Sequence, residues 1–124
     1  MNVCDLHTQY SQNLNKLSHC SGAKAYLVLT NLVESGFDIV KRYEQTQNII
    51  LHELFLRRVF FDLLNVISDP LINIFIRRMC LDFLHKPLLA LKRFYKTTHG
   101  TLNSYYKLET EMRTISFEYL SSEK

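Results

Sequence analysis

The sequence predicts an all-α protein, and three observations support this. The chain has 124 residues, which is enough to bury a core, and we expect one domain spanning residues 1–124. It contains only three Gly and two Pro, so few positions favour a turn or a break. Its apolar residues recur at three- and four-residue steps rather than alternating. We therefore predict a compact bundle of five to seven helices, with two nearly all-apolar central helices, about 49–67 and 71–84, wrapped by amphipathic terminal helices.

The first part of the chain predicts amphipathic helices. A helix over about 4–19 has a single apolar stripe. A second, over 23–35, is expected to end at Ser35-Gly36, because Gly is common just after a helix C-terminus. A further helix begins near Asp38, a favourable N-cap residue. The sequence leaves open whether residues 38–68 form one helix or two.

The centre of the chain contains two similar segments. Residues 54–64 read LFLRRVFFDLL and residues 74–84 read IFIRRMCLDFL, and we call them the repeated segments. No third copy occurs, and the spacing is too short for the known helical repeats, so we interpret them as two similar helices rather than a solenoid. Apolar residues make up thirteen of the nineteen in 49–67 and ten of the fourteen in 71–84. They point in every direction on a helical wheel, so both helices should be surrounded by other elements.

Two prolines divide the second half of the chain. Asp69-Pro70 should end the first central helix and start the next, since Pro disfavours the helical conformation of the residue before it and suits the first helical position. Pro87 should act in the same way and begin a helix over 87–98, although a kink within one helical path is the alternative. The last helix covers about 102–120 and carries one regular apolar stripe.

The apolar excess of the central helices favours a binding function. A domain of this size needs most of its other residues to enclose two such helices, so we expect apolar surface that a second copy or a partner covers. Aromatic residues often dominate interface energies. The candidate anchors are Phe55, Phe60, Phe61, Phe75 and Phe83. Most of them must also build the core, and the sequence does not divide the two roles. The sequence therefore favours a non-enzymatic interaction module, an adaptor, complex subunit or homo-oligomer.

Nucleic-acid binding is the alternative function. Residues 70–124 hold nine Lys and Arg against five Asp and Glu, which predicts a basic face within 77–107. The candidate phosphate contacts are Arg77, Arg78, Lys92, Arg93 and Lys96. Separately, residues 25–48 contain two predicted helices joined at a Gly, which is the arrangement of a helix-turn-helix.

Catalytic, cofactor and metal motifs give no candidate site. His52-Glu53 begins like a zinc-protease motif, but Leu56 stands where the second His ligand is needed. Cys4 and His7 could share a metal with His19-Cys20, yet the last two are adjacent and point in different directions on a helix. With no Gly-rich phosphate loop and no nucleophile elbow, we expect a protein that is not an enzyme, and a helical enzyme of unrecognised type is the alternative.

Cysteine usage and hydropathy bear on location. The three cysteines are odd in number and widely spaced, which favours a reducing compartment and hence an intracellular protein, cytoplasmic or nuclear. Charged residues interrupt both apolar stretches before they reach the roughly 18 consecutive apolar residues of a membrane-spanning helix, so we expect no span.

Overall fold

The prediction of an all-α fold is confirmed. A computed structural model of the chain describes residues 2–120, and no strand occurs in that range. The described residues form five helices, within the predicted five to seven: α1 (Val3–His19), α2 (Gly22–Gln45), α3 (Ile49–Ile67), α4 (Ile74–Thr98) and α5 (Asn103–Leu120). The chain groups into two compact units, residues 1–59 and residues 60–124, with the boundary inside α3. The single domain over residues 1–124 stays a prediction.

In the first unit, α1 packs against α2. The side chain of Asn2 caps α1 by accepting a hydrogen bond from the backbone N–H of Asp5 at 2.9 Å. The apolar stripes of both helices are buried. These buried side chains are Leu6, Tyr10 and Leu17 on α1 and Ala25, Leu29, Leu32, Val33, Ile39 and Val40 on α2.

The predicted helix end at Ser35-Gly36 is wrong, because α2 continues through both residues to Gln45. A Cβ atom at Gly36 would lie 2.9 Å from Cγ2 of Val59 and 3.1 Å from Cε1 of Tyr10. The glycine therefore allows α1 and α3 to approach α2 closely, and it does not cap a helix. The predicted helix-turn-helix over 25–48 is wrong for the same reason, since the turn that would separate its two helices does not form.

Residues 38–68 form parts of two helices. Gln47 adopts φ 56°, a left-handed conformation that interrupts the helix in the absence of a glycine. The next helix, α3, then starts at Ile49, where the Asn48 side chain accepts a hydrogen bond from the backbone N–H of Leu51 at 3.1 Å. This answers the question that the sequence left open, and the predicted bounds of 49–67 are confirmed.

In the second unit, α4 packs against α5. The break at Asp69-Pro70 is confirmed, but the next helix begins later than predicted. Its N-cap is Asn73, whose side chain accepts a hydrogen bond from the backbone N–H of Phe75 at 2.8 Å. Leu71 precedes this cap and is 93% exposed.

The helix end predicted before Pro87 is wrong, and the alternative of one helical path is what the structure contains. Pro87 lies inside α4 and is buried. A proline within a helix costs about 3 kcal/mol, because it removes one hydrogen bond and crowds the preceding turn. Leu84, Leu88 and Leu91 lie on both sides of it and are all buried. Burying each leucine stabilises by about 1.5–3 kcal/mol, so the burial exceeds the cost of the proline.

Candidate functional site

The five candidate aromatic anchors occupy three different environments. Phe55 and Phe60 are 4% and 0% exposed, so they are core residues and are not presented to another molecule. Phe61 and Phe83 are half-buried. Phe75 is 68% exposed and is the candidate that can contact another molecule most fully.

The repeated segments differ in burial because their surroundings differ. Phe55 on α3 packs edge-on against the rings of His7 and Tyr10, with centroids 5.1 and 5.2 Å away. Its counterpart, Phe75, lies in the first turn of α4 and points into solvent. The segments share a buried face at other positions, where Phe60 on α3 corresponds to Cys80 on α4. Similar sequences therefore present different side chains to solvent.

The assignment of Arg77 to a nucleic-acid contact is wrong. Arg77 is 3% exposed. Its Nε donates to the backbone carbonyl of Ile67 and its NH2 group donates to the backbone carbonyl of Tyr119, each at 2.9 Å. Carbonyl groups at the C-terminal ends of helices lack partners within the helix, and a cation complements the helix dipole there. Arg77 therefore joins the ends of α3 and α5 to the start of α4.

The other four candidate bases are exposed or half-buried. Arg78, Arg93 and Lys96 are exposed on α4. Lys92 is half-buried, and its Nζ lies 5.3 Å from the ring centroid of Tyr105 on α5, in cation–π geometry. Lys92 is therefore turned towards α5, and three of the five predicted bases are presented to solvent.

One exposed face of α4 combines these bases with apolar side chains. Its members recur at steps of three and four residues, which keeps them on one side of a helix. We call this face the α4 surface, and it consists of Phe75, Arg78, Asp82, Lys86, Leu89, Arg93 and Lys96. It extends for about 32 Å at 1.5 Å per residue. Four bases, one acid and two apolar side chains make it basic and partly apolar.

Sequence reasoning missed Leu89, the second apolar member of the α4 surface. Leu89 is 54% exposed, whereas its neighbours Leu88 and Leu91 are buried. The signal was present, because Leu89 follows Phe75 by fourteen residues, which is two heptads. Dividing the chain into two helices at Pro87 concealed this regular spacing.

The first unit contains a cluster of rings and one guanidinium group. His7 Nε2 lies 2.9 Å from the Tyr43 hydroxyl. The guanidinium carbon of Arg58 lies 5.6 Å from the ring centroid of Tyr10 and 5.4 Å from that of Phe55. Burial, and then the positive charge of Arg58, lower the pKa of His7 below its usual value. The cluster joins α1, α2 and α3 and favours a neutral imidazole.

A depression of about 290 Å³ also lies in the first unit. Four of its five lining residues are polar or charged, whereas small-molecule pockets are mostly apolar with a few polar groups. The lining residues are Leu6, Asp38, Lys41, Arg42 and Gln45. Its character gives weaker support for a binding site than that of the α4 surface.

Metal-binding clusters, membrane-spanning helices and known relatives give no further candidate site among the described residues. Among residues 2–120, no group of three or more His, Cys, Asp or Glu side chains is arranged to hold a metal ion. None of the described helices is both long and apolar enough to cross a membrane. No family model matches the chain, and neither a curated protein nor a solved structure matches it.

Proposed function

We propose that the chain is a non-enzymatic protein-interaction module that binds a partner protein through the α4 surface. The observation that supports the proposal is the exposure of Phe75 and Leu89, at 68% and 54%, on the same helical face as Arg78 and Arg93. Aromatic side chains and arginine are enriched in the parts of interfaces that contribute most to affinity. The α4 surface offers both, on a helix whose opposite side is anchored in the core.

The position of the apolar side chains supports an interface over a chance exposure. Single exposed apolar residues are common on protein surfaces and need no function. Here Phe75 and Leu89 are separated by about 21 Å on one face, with Asp82 midway between them. An elongated partner lying along α4 would cover both at once.

Nucleic-acid binding is a second candidate for the same surface. The observation that favours it is the exposure of Arg78, Arg93 and Lys96 on one face of α4. Asp82 argues against it, since an acid in the middle of the face would repel phosphates. The test is binding of duplex DNA across salt concentrations. Binding that weakens steeply with salt, and that Arg93→Ala with Lys96→Ala weakens, would favour this candidate over a protein partner.

The proposal is tested by quantitative affinity capture from cells that express the protein, after nuclease treatment. The full chain is compared with a variant carrying Phe75→Asp and Leu89→Asp. Phe117→Asp is the matched control, because Phe117 is 76% exposed on α5. We expect the wild type and the control to capture the same amount of one partner protein. The double variant should capture at least tenfold less of it, because its two charges would oppose burial of the contact.

Two results would overturn the proposal. One is a partner that the double variant retains as well as the wild type does, which would place the contact elsewhere. The other is a partner lost equally from the double variant and the Phe117→Asp control. Circular dichroism checks that each variant is as helical as the wild type. We expect this because the changed side chains are exposed.

A further inference from the structure

We infer that the α4 surface binds a single amphipathic helix whose flanks are acidic. This inference rests on the proposed function and adds the chemistry of the partner. It follows from the spacing of the residues on α4, from their charges, and from the poor match of the surface to itself.

The spacing of the α4 surface fits a helix as the partner. Phe75, Asp82, Leu89 and Lys96 follow one another at intervals of seven residues, and all four are exposed. A seven-residue interval returns to the same side of an α-helix after two turns, so a second helix lying alongside would meet all four in succession. The partner would then carry apolar side chains about two heptads apart, opposite Phe75 and Leu89.

The charges of the α4 surface specify the flanks of that helix. Lys86 and Arg93 each lie four residues after a member of the heptad series, at positions that flank the contact and control the choice of partner. Arg78 lies three residues after Phe75, within the contact itself. Basic flanks on α4 favour Asp and Glu on the partner and disfavour Lys and Arg. Asp82 lies between the two apolar contacts, so a base or an amide is expected opposite it.

A second copy of the chain fits the surface poorly. In a two-fold antiparallel pairing of two α4 helices centred midway along the surface, Arg78 faces Arg93 and Phe75 faces Lys96. Centring the pair on Asp82 brings Phe75 opposite Leu89, but Arg78 then faces Lys86 and Asp82 faces its own copy. In a parallel two-fold pairing each residue faces its own copy, so every charge meets a like charge. Like charges placed opposite each other oppose association. The surface therefore favours a different chain as its partner.

The test is a selection from a displayed library of helical peptides about four heptads long, randomised at the contact positions. The target is the full chain, and the selection is repeated with the variant carrying Phe75→Asp and Leu89→Asp and with the Phe117→Asp control. We expect the wild type and the control to enrich peptides that are net acidic with two apolar residues fourteen apart. The double variant should enrich none of these.

A charge exchange extends the test. Changing Arg78→Glu and Arg93→Glu together should weaken the enriched peptide at least tenfold, and replacing the flanking acids of the peptide by Lys should restore binding to this variant. Duplex DNA, and vesicles of phosphatidylserine and phosphatidylcholine in equal parts, are tested in the same buffer. The inference is overturned if the enriched peptides are neutral or basic, if the double variant binds them equally, or if only DNA or vesicles bind the wild type.

Failure of this inference is distinct from failure of the proposed function. If affinity capture yields a partner that depends on Phe75 and Leu89 while the library yields no acidic helix, the interaction module stands and its partner has another shape. If the partner captured does not depend on these two residues, the proposed function itself fails.

Discussion

At the scale of single residues, Arg77 shows why a sequence pattern cannot assign a role to a charge. The repeated segments contain two Arg-Arg pairs, at 57–58 and 77–78, in matching contexts. Only the structure places the Arg77 guanidinium against the carbonyls of Ile67 and Tyr119, the second of which is 42 residues away in the chain. Such distant backbone partners leave no local signal, so charge alone suggested an exposed phosphate contact.

Replacement of Arg77 should therefore reduce stability. Arg77→Met keeps the aliphatic stem but leaves two carbonyl groups without their charged donor. A hydrogen bond to a charged group contributes about 1.5–3 kcal/mol, so we expect unfolding in urea to show a loss of roughly 3 kcal/mol. The control is Arg78→Met on the exposed neighbour, which should change the free energy of unfolding by less than about 0.5 kcal/mol. Equal losses from both variants would contradict the assigned role of Arg77.

Two glycines in α2 offer a second test at this scale. Gly36→Ala would bring its Cβ to 2.9 Å from Val59 and 3.1 Å from Tyr10, both fully buried. We expect a net loss of about 1–2 kcal/mol, because overpacking exceeds the gain of roughly 1 kcal/mol in helix propensity. Gly22→Ala is the control, since no atom lies within 4 Å of its Cβ position. In chemical denaturation, Gly22→Ala should leave the free energy of unfolding unchanged or raise it. A Gly36→Ala variant as stable as the wild type would contradict the close packing of Val59 and Tyr10 against Gly36.

Two histidines predict how stability changes with pH. Burial lowers the pKa of both His7 and His52 below 6.5, with Arg58 adding to the effect at His7 and Glu44 opposing it at His52. The unfolded chain therefore binds more protons at these sites than the folded chain does. Stability should be highest above about pH 7 and should fall as the pH drops through 6.5 towards the lowered values.

Denaturation between about pH 7.5 and 5.5 measures this dependence. The variant carrying His7→Gln and His52→Gln lacks both titrating rings, so its free energy of unfolding should change less over this range than that of the wild type. The same slope in both proteins would mean that other groups control the effect.

At the scale of elements, the sequence predicted the all-α class and a range of five to seven helices that includes the observed five, but it misplaced several boundaries. Periodic apolar spacing identified α1 and α5 to within a residue or two, and the apolar run before Asp69-Pro70 identified α3. Gly36 and Pro87 were interpreted from local propensity as helix ends, and tertiary packing overrides both. The contact of Gly36 with Tyr10 and Val59, and the buried leucines around Pro87, depend on chain segments that no local window includes.

Because α4 continues through Pro87, two leucines that are two residues apart should contribute very differently to the free energy of unfolding. Leu91 is fully buried and Leu89 is 54% exposed. Leu91→Ala should cost about 2–5 kcal/mol of unfolding free energy, because it leaves a cavity, while Leu89→Ala should change it by less than about 0.5 kcal/mol. Thermal or urea unfolding provides the comparison. Similar losses at both positions would contradict the orientation of this helix beyond the proline.

At the scale of the whole molecule, the candidate site was predicted in part. An apolar surface left uncovered and a basic face in the second half were both expected from composition, and Phe75, Arg78, Arg93 and Lys96 lie together on α4 as exposed residues. Which phenylalanines would be buried was not predictable, because thirteen of the nineteen residues of α3 are apolar and their pattern has no dominant face. Only packing distinguishes the buried rings from the exposed one.

The measurement that tests the central claim most directly is site-specific photo-crosslinking in cells that express the protein. A benzophenone amino acid replaces Phe75 or Leu89 in the α4 surface, or Phe117 on α5 as a control that is at least as exposed. We predict crosslinked adducts at positions 75 and 89 that are digested by protease and resist nuclease, which identifies the crosslinked molecule as a protein. Position 117 should give no adduct. Adducts that nuclease removes, or equal adducts at all three positions, would contradict the assignment of the α4 surface as a protein-binding site.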